Sequence, residues 1–129
     1  MKTPVNNPVG WFEIPVTDMP RAIKFYEAVL QIKIEHRPFG ELDMGWFPMS
    51  PDGKGITGAL VKHAEWYKPA MDGALLYFTA HSGDLSIELA RVEAAGGKVC
   101  VPRKPIGEFG FIAVFSDTEG NRVALHSRK

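Results

Sequence analysis

The chain has 129 residues, enough for one compact domain, of which 45% are hydrophobic and 23% are charged. Its 15 basic and 15 acidic residues cancel, which argues against a nucleic acid or an anionic membrane surface as a partner, because such partners select net positive charge. The single cysteine excludes an internal disulfide, and no stretch has the length and apolar character of a signal peptide or a membrane span. We therefore expect a soluble protein with a cytoplasmic location.

The first predicted element is a strand in GWFEIPVTD, residues 10–18. Its alternation produces two unlike faces. One face carries only apolar side chains and is typical of a core, whereas the other carries Trp11, Glu13 and Pro15. A face with an indole and a carboxylate is not typical of a core, so we expect it to face a cleft or another surface.

A helix is predicted next, in DMPRAIKFYEAVLQ. Asp18 is the expected N-cap, and Pro20 lies in the first turn, where a missing N–H is tolerated. Apolar residues recur on one helical face, at Met19, Ile23, Tyr26 and Leu30. A short strand, KIEH, and a hairpin over residues 45–63 complete the first half.

The second half follows the same order. ALLYFTAHSGD predicts a strand, and DLSIELARVEAAGG predicts a helix that ends at the Gly96–Gly97 pair. KVCV predicts a further strand, in which Cys100 is expected to pack as a small apolar residue. The basic pair Arg103–Lys104 in VPRKPIG is expected in an exposed loop, before a second hairpin.

The two hairpins are also related in sequence. Residues 45–63 and 110–128, written without gaps at an offset of 65, are identical in five of nineteen columns, where about one is expected by chance. Ala59 and Ala124 are one such pair, and matched Asp and Gly residues mark the turn of each hairpin.

The sequence therefore predicts an α+β fold of two tandem βαβββ modules, about residues 8–63 and 74–128, within a single domain over 1–129. Each module is too small to cover both faces of its own sheet. We expect curved mixed sheets that enclose a cleft, with the helices outside.

Tandem βαβββ modules with D-x-E-G-N before the last strand resemble the vicinal-oxygen-chelate superfamily, which includes glyoxalase I, extradiol dioxygenases and bleomycin-resistance proteins. The chain looks most similar to the short, functionally unassigned glyoxalase-related proteins of bacteria. The likeness covers about residues 8–127 and is carried by WFEIPVTDMPRAIKFYEAVL, ALVKH, LLYFTAHSGDLSIELARVEAAGGKV and GFIAVFSDTEGNRVALH.

In the metal-dependent members of that superfamily, His, Glu or Gln side chains on the first and last strands of the modules hold a divalent ion. The resemblance carries the four ligand positions to Trp11, Ala59, Leu75 and Ala124. None of these side chains donates a lone pair to such an ion. A slip of one residue on the first strands would bring in other non-ligating residues instead, namely Gly10 or Phe12 and Ala74 or Leu76. This departure from the metal-dependent members predicts the same fold without a bound metal ion, and no other cofactor is expected.

Three polar residues lie one step further along the same registers, at Glu13, Tyr77 and His126. If the sheets meet as the resemblance implies, these residues line one cavity beside Trp11 and could serve acid–base chemistry. The alternative is that Glu13 pairs with a nearby basic residue, that His126 sits near the exposed C-terminus, and that Tyr77 fills the cleft as aromatic residues commonly do.

Trp46 and Phe111 correspond in the repeat and lie on the third strand of each module. They could line a groove for a flat organic ligand, and packing between modules or between two copies of the chain is the alternative. The stretch GKGITG, residues 53–58, matches G-x-G-x-x-G, but a strand rather than a helix is predicted after it, so we interpret it as a hairpin turn.

Two functional hypotheses follow. The first is a metal-free protein that binds a small, largely flat or apolar molecule in the cleft, which the missing ligands favour. The second is an enzyme related to lactoylglutathione lyase that uses an acid–base residue such as Glu13, which only the family likeness favours. A structural or interaction module is a weaker third hypothesis. A homodimer is expected, because Trp11, Trp46 and Phe111 provide more apolar surface than short modules usually hide.

Overall fold

The computed structural model describes residues 4–129, so the first three residues of the predicted domain lie outside the described part. The described chain forms eight strands and two α-helices, with a short 3₁₀ helix at Gly107–Phe109. Their bounds in chain order are β1 (Phe12–Pro15), α1 (Met19–Leu30), β2 (Glu35–His36), β3 (Asp43–Trp46), β4 (Gly58–Lys62), β5 (Leu76–Thr79), α2 (Leu85–Val92), β6 (Lys98–Pro105), β7 (Phe111–Ser116) and β8 (Arg122–Ser127).

The strands form two four-stranded sheets with the same topology. The order is β1-β4-β3-β2 in the first sheet and β5-β8-β7-β6 in the second. The pairs β1–β4 and β5–β8 are parallel, and the other neighbouring strands are antiparallel. The predicted α+β fold of two tandem βαβββ modules is therefore confirmed.

Both helices begin at an aspartate that lies in extended conformation. The Asp18 carboxylate accepts a hydrogen bond from the Arg21 N–H at 3.0 Å, and the Asp84 carboxylate accepts one from the Ser86 N–H at 3.0 Å. Each bond satisfies an N–H that has no partner inside its helix, which is why the helices start at these residues. No helix in residues 4–129 has the length and apolar character needed to cross a membrane.

One hydrophobic core joins the two modules. The helices pack against each other, and the sides of both sheets that face them contribute to the same cluster. Phe25 and Tyr26 of α1 contact rings of both sheets, those of Phe47, Phe78 and Phe115. Because this core takes up one side of each sheet, the side that carries Glu13 or Tyr77 faces away from it.

Two predictions about β6 are wrong. The strand continues to Pro105, so Arg103 and Lys104 lie in an edge strand and not in a loop. Cys100 is exposed and not packed, because the pairing with β7 shifts register between Val99 and Val101. Such a bulge turns its extra residue out of the ladder, and edge strands tolerate both bulges and prolines.

The turn between β7 and β8, Asp117–Asn121, fastens the second module to the first. The Glu119 carboxylate is fully buried and accepts hydrogen bonds from the N–H groups of Thr17 and Asp18, both at 2.9 Å, and from Arg21 Nε at 2.7 Å. Burial by itself raises the pKa of Glu119, but the hydrogen bonds from Arg21, Thr17 and Asp18 outweigh it and hold the pKa at about 2. Glu119 therefore binds the start of α1 as a carboxylate.

Asp117 and Asn121 complete this attachment. Asp117 accepts a hydrogen bond from the buried Tyr26 hydroxyl at 2.6 Å, and Asn121 Nδ2 donates to the Pro15 carbonyl at 2.7 Å. The N–H of Ala70, in the segment between the modules, donates to Asn121 Oδ1 at 3.1 Å. What the sequence presented as a hairpin turn is thus the main polar contact between the modules.

Candidate functional site

The residues of interest in the first module lie on the side of its sheet that faces away from the core. Glu13 pairs with Ala59 on β4, and Ala59 pairs with Trp46 on β3. Trp11 lies just before β1, and its ring meets that of Trp46 edge-on, with 5.2 Å between centroids. We call this set, Trp11, Glu13, Trp46 and Ala59, the first face.

Both oxygens of Glu13 accept hydrogen bonds from aromatic side chains. The Trp11 indole N–H donates to Oε2 at 3.2 Å, and the Tyr67 hydroxyl donates to Oε1 at 2.5 Å. The hydrogen bond to Glu13 raises the pKa of the Tyr67 hydroxyl above its ordinary value. Tyr67 was missed by the sequence analysis. The residue follows β4 in a loop that folds back to pair with His63, and no periodicity in the sequence indicates that return.

Trp46 is held in place by Arg37. The Trp46 indole N–H donates to the Arg37 carbonyl at 3.2 Å, and the Arg37 guanidinium lies 4.3 Å from the centroid of a Trp46 ring. This stacked arrangement is typical of a cation–π contact. Next to the first face, on the same side of the sheet, Met44 and Val61 form a small buried cluster with Ala59. The face therefore combines aromatic rings, a carboxylate and a guanidinium beside a buried apolar cluster.

The second module carries the corresponding residues on its own sheet. Tyr77 pairs with Ala124 on β8, and Ala124 pairs with Val114 on β7. His126 lies beside Thr79 and donates from Nε2 to the Phe109 carbonyl at 2.7 Å, since a carbonyl oxygen can only accept. We call this set, Tyr77, Ala124 and His126, the second face.

Phe111 does not belong to the second face, and its predicted correspondence with Trp46 is wrong. Phe111 lies on the same side of β7 as Ala113 and Phe115, which face the common core, and its ring packs against that core. The residue that corresponds to Trp46 is Val114, because each is the partner of the equivalent alanine. The loop from β3 to β4 is longer than the turn from β7 to β8, so the offset of 65 holds for β4 and β8 but fails for the preceding strands.

Within residues 4–129, no hydrogen bond or ring contact links the first face to the second face. Hydrogen bonds and ring contacts join Trp11, Glu13 and Trp46 to each other, whereas those of His126 stay in the second module. Leu75 lies just before β5 and lines a groove of about 400 Å³ to which Glu13 also contributes. The contacts thus group Trp11, Glu13 and Trp46 in the first module and leave Tyr77 and His126 in the second, while Glu13 and Leu75 share a groove between the modules.

At the four positions that the resemblance equates with metal ligands, no side chain has an atom that can donate a lone pair to a metal ion. Ala59 and Ala124 are fully buried at equivalent places on β4 and β8, while Trp11 and Leu75 precede β1 and β5. The register places Glu13 and Tyr77 directly beside the two alanines. Within residues 4–129 there is no group of three or more His, Cys, Asp or Glu side chains arranged to hold a metal ion.

Comparison with solved structures shows the same fold in proteins of low sequence identity. An antibiotic binding protein, TnmS3 from Streptomyces sp. CB03234, superposes with a TM-score of 0.69 at 23% identity, covering 98% of this chain and 100% of that one. A glyoxalase/bleomycin resistance protein from Albidiferax ferrireducens T118 gives a TM-score of 0.70 at 21% identity, covering 95% and 100%.

A glyoxalase I mutant from Zea mays gives a TM-score of 0.69 at 20% identity. The match covers 94% of this chain but 46% of the maize enzyme, so the chain spans about half the length of that relative. No functionally curated protein matches the sequence at a significant level.

The sequence model of one family matches residues 9–125, nearly the whole chain. The two modules and the neighbouring structures agree with that match. The chain belongs to the Glyoxalase/Bleomycin resistance protein/Dioxygenase superfamily.

Proposed function

We propose that the protein is a cytoplasmic, metal-free binding protein that holds a small, largely flat or apolar organic molecule against the first face. The observation that carries this proposal is the edge-on pair of Trp11 and Trp46 beside Ala59. The resemblance equates Trp11 and Ala59 with ligand positions of the metal-dependent relatives. Aromatic rings with a few oriented polar groups are the usual composition of a small-molecule site. A neighbouring structure of this fold is that of an antibiotic binding protein, which supports the same class of function.

Glu13 orients the aromatic rings in this proposal and does not act as a base. Both of its oxygens are directed at protein donors, the indole of Trp11 and the hydroxyl of Tyr67. A general base needs an oxygen directed at the proton of the substrate. The geometry therefore favours binding over an activity related to lactoylglutathione lyase that would depend on Glu13.

A homodimer would complete the site. The second face leaves Tyr77 47% exposed, and nothing else in the described chain covers it. In a two-fold dimer the second face of each copy can lie opposite the first face of the other, so that the dimer has two equivalent sites. The bound molecule would then contact Trp46 of one chain and Tyr77 of its partner. A monomer in light scattering, with or without ligand, would contradict this part of the proposal.

Divalent ions provide the first test. Nickel, zinc and manganese titrated into the tag-free protein are expected to give no stoichiometric uptake, because alanine, leucine and tryptophan supply no ligand atoms. Isothermal titration and elemental analysis after dialysis measure this. Uptake of one ion per chain, or lactoylglutathione lyase activity that rises with the ion, would overturn the metal-free proposal.

Proflavine, a flat aromatic dye, provides the second test through quenching of tryptophan fluorescence. The Trp46→Ala variant is expected to bind the dye about tenfold more weakly, since one aromatic contact contributes about 0.5–1.5 kcal/mol beyond its buried area. Glu13→Gln is expected to weaken binding about threefold, because Trp11 and Tyr67 donate to different oxygens of Glu13 and the amide nitrogen that replaces one of them cannot accept a hydrogen bond. The matched control is Trp66→Ala, which removes a tryptophan that is 75% exposed on a loop and lies outside the first face. Equal effects of Trp46→Ala and Trp66→Ala would contradict binding at the first face.

A further inference from the structure

The attachment made by the turn Asp117–Asn121 has no counterpart in the first module. At the offset of 65 that relates β4 to β8, Lys54 stands where Glu119 does, and Ile56 stands where Asn121 does. Neither residue can accept hydrogen bonds from the start of a helix as Glu119 does. Within the described chain, the hydrogen bonds of residues 47–57 stay inside the first module.

The start of α2 does not need that attachment. Glu88, within α2 itself, is buried and accepts hydrogen bonds from the Ser82 N–H at 3.0 Å and from the Ser82 hydroxyl at 2.6 Å. The Leu85 N–H donates to the Ser127 hydroxyl at 2.9 Å. Because these groups are satisfied locally, the loop over residues 47–57 is free to lie apart from the second module.

A cavity of about 420 Å³ lies where the missing attachment would be. Its base is formed by the rings of Phe12, Phe47 and Phe78, whose centroids are 5.3–5.8 Å apart. Leu30 and Ile56 add aliphatic walls. These side chains belong to the core side of the sheets, so the cavity is distinct from the first face.

The lining of this cavity includes two basic residue types and no acidic one. Lys54 comes from the loop, His81 comes from the segment between β5 and α2, and no Asp or Glu is among the lining residues. Thr57, Tyr77 and Thr79 also border the cavity, but the side chains of Tyr77 and Thr79 lie on the side of β5 that faces away from the core. An apolar base with a basic rim fits a molecule that has an apolar body and an anionic head.

We propose that this cavity, called here the loop pocket, is a second binding site for a small amphipathic anion such as a medium-chain carboxylate. The apolar chain lies on Phe12, Phe47 and Phe78, and the carboxylate lies toward Lys54 and His81. At the offset of 65, a lysine stands on this loop where the second module has its attaching glutamate. Its occupant would place a carboxylate between the loop and the segment that precedes α2.

Octanoate is the probe, and octylamine, with the same chain and the opposite charge, is the control ligand. Titration into ¹⁵N-labelled protein is expected to shift the amide signals of residues 54–57 and 77–81, with one site per chain and a Kd of about 0.1–1 mM. Octylamine is expected to bind at least tenfold more weakly. Equal affinity for the two probes would overturn the proposal, and so would octanoate shifts confined to Trp11 and Trp46.

Variants then test the two halves of the pocket. Lys54→Met is expected to weaken octanoate binding about fivefold, since it removes one partly solvated charge contact. Ile56→Trp, on a loop position that is 42% exposed, is expected to fill the cavity and abolish binding, with folding verified by circular dichroism. Lys24→Met, on the exposed side of α1, is the matched control and is expected to leave the Kd unchanged. If Lys24→Met weakens binding as much as Lys54→Met, or if Ile56→Trp leaves it intact in a folded protein, the pocket is not the site.

Discussion

Replacing Glu119 with glutamine is expected to lower the free energy of unfolding by about 2–3 kcal/mol at pH 7, and the melting temperature by about 10 °C. The buried carboxylate accepts hydrogen bonds from two backbone N–H groups and from the Arg21 guanidinium. In glutamine an NH₂ group replaces one of the oxygens, and it would face some of these donors without being able to accept. The exposed part of Arg21 limits the loss, because that guanidinium stays solvated when its partner is gone. Denaturant unfolding measures the difference. The control is Glu108→Gln, an exposed glutamate whose loss is expected to change stability by less than about 0.5 kcal/mol.

The same carboxylate predicts how stability depends on pH. The pKa of Glu119 is about 2 in the folded chain against an ordinary value of 4.5, so protonation favours the unfolded state. The stabilisation is complete above about pH 5 and disappears as the pH falls toward 2. The stability difference between the native protein and Glu119→Gln is therefore expected to shrink by about 2 kcal/mol between pH 6 and pH 3. A difference that stays constant over this range would show that the charge of Glu119 is not what holds the turn to α1.

Replacing Gly58 with alanine is expected to destabilise the protein by about 3 kcal/mol and to disturb the first face. A Cβ atom at this position would lie 2.1 Å from the Phe12 carbonyl oxygen and 2.6 Å from its ring, far inside contact distance. Because Gly58 pairs with Phe12 in the parallel ladder, relief requires that β1 move away from β4. Glu13 and Trp11 would move with it.

Two measurements check this expectation. Denaturant unfolding gives the loss of stability, and the fluorescence of Trp11 and Trp46 in the folded variant reports the change at the first face. Gly10→Ala is the matched control, since a Cβ there meets nothing within 4 Å, and it is expected to be nearly neutral. A loss below about 1 kcal/mol for Gly58→Ala would mean that β1 is held less tightly than the close backbone approach implies.

The parts of the fold that depend on local chemistry could be predicted well. Asp18 and Asp84 start helices because a short carboxylate reaches an N–H a few residues away, and such signals are contained in a short segment. The alternation in residues 12–16 separated the core side of β1 from the side with Glu13, because side chains on a strand alternate whatever the strand pairs with. The repeat with an offset of 65 correctly matched Ala59 to Ala124.

The errors occur where an insertion or a bulge changes the count of residues. Phe111 was assigned to the wrong side of β7 because the longer loop after Trp46 breaks the ungapped correspondence, and a shift of one residue reverses a strand's faces. Cys100 was assigned to the interior because the bulge in β6 has no signal in KVCV. In both cases the residue type was compatible with either side of the sheet.

By itself, therefore, the sequence determined the two modules, the starts of their helices and the equivalence of Ala59 and Ala124. Only the tertiary structure decided that Tyr67 returns to Glu13, that Glu119 holds the start of a helix about a hundred residues earlier in the chain, and that the loop around Lys54 leaves a cavity. The physical reason is the range of the interactions. Helix caps and strand alternation act within a few residues, whereas a buried carboxylate or an aromatic contact takes its partner from whatever the packed core brings near, and no local pattern records that partner.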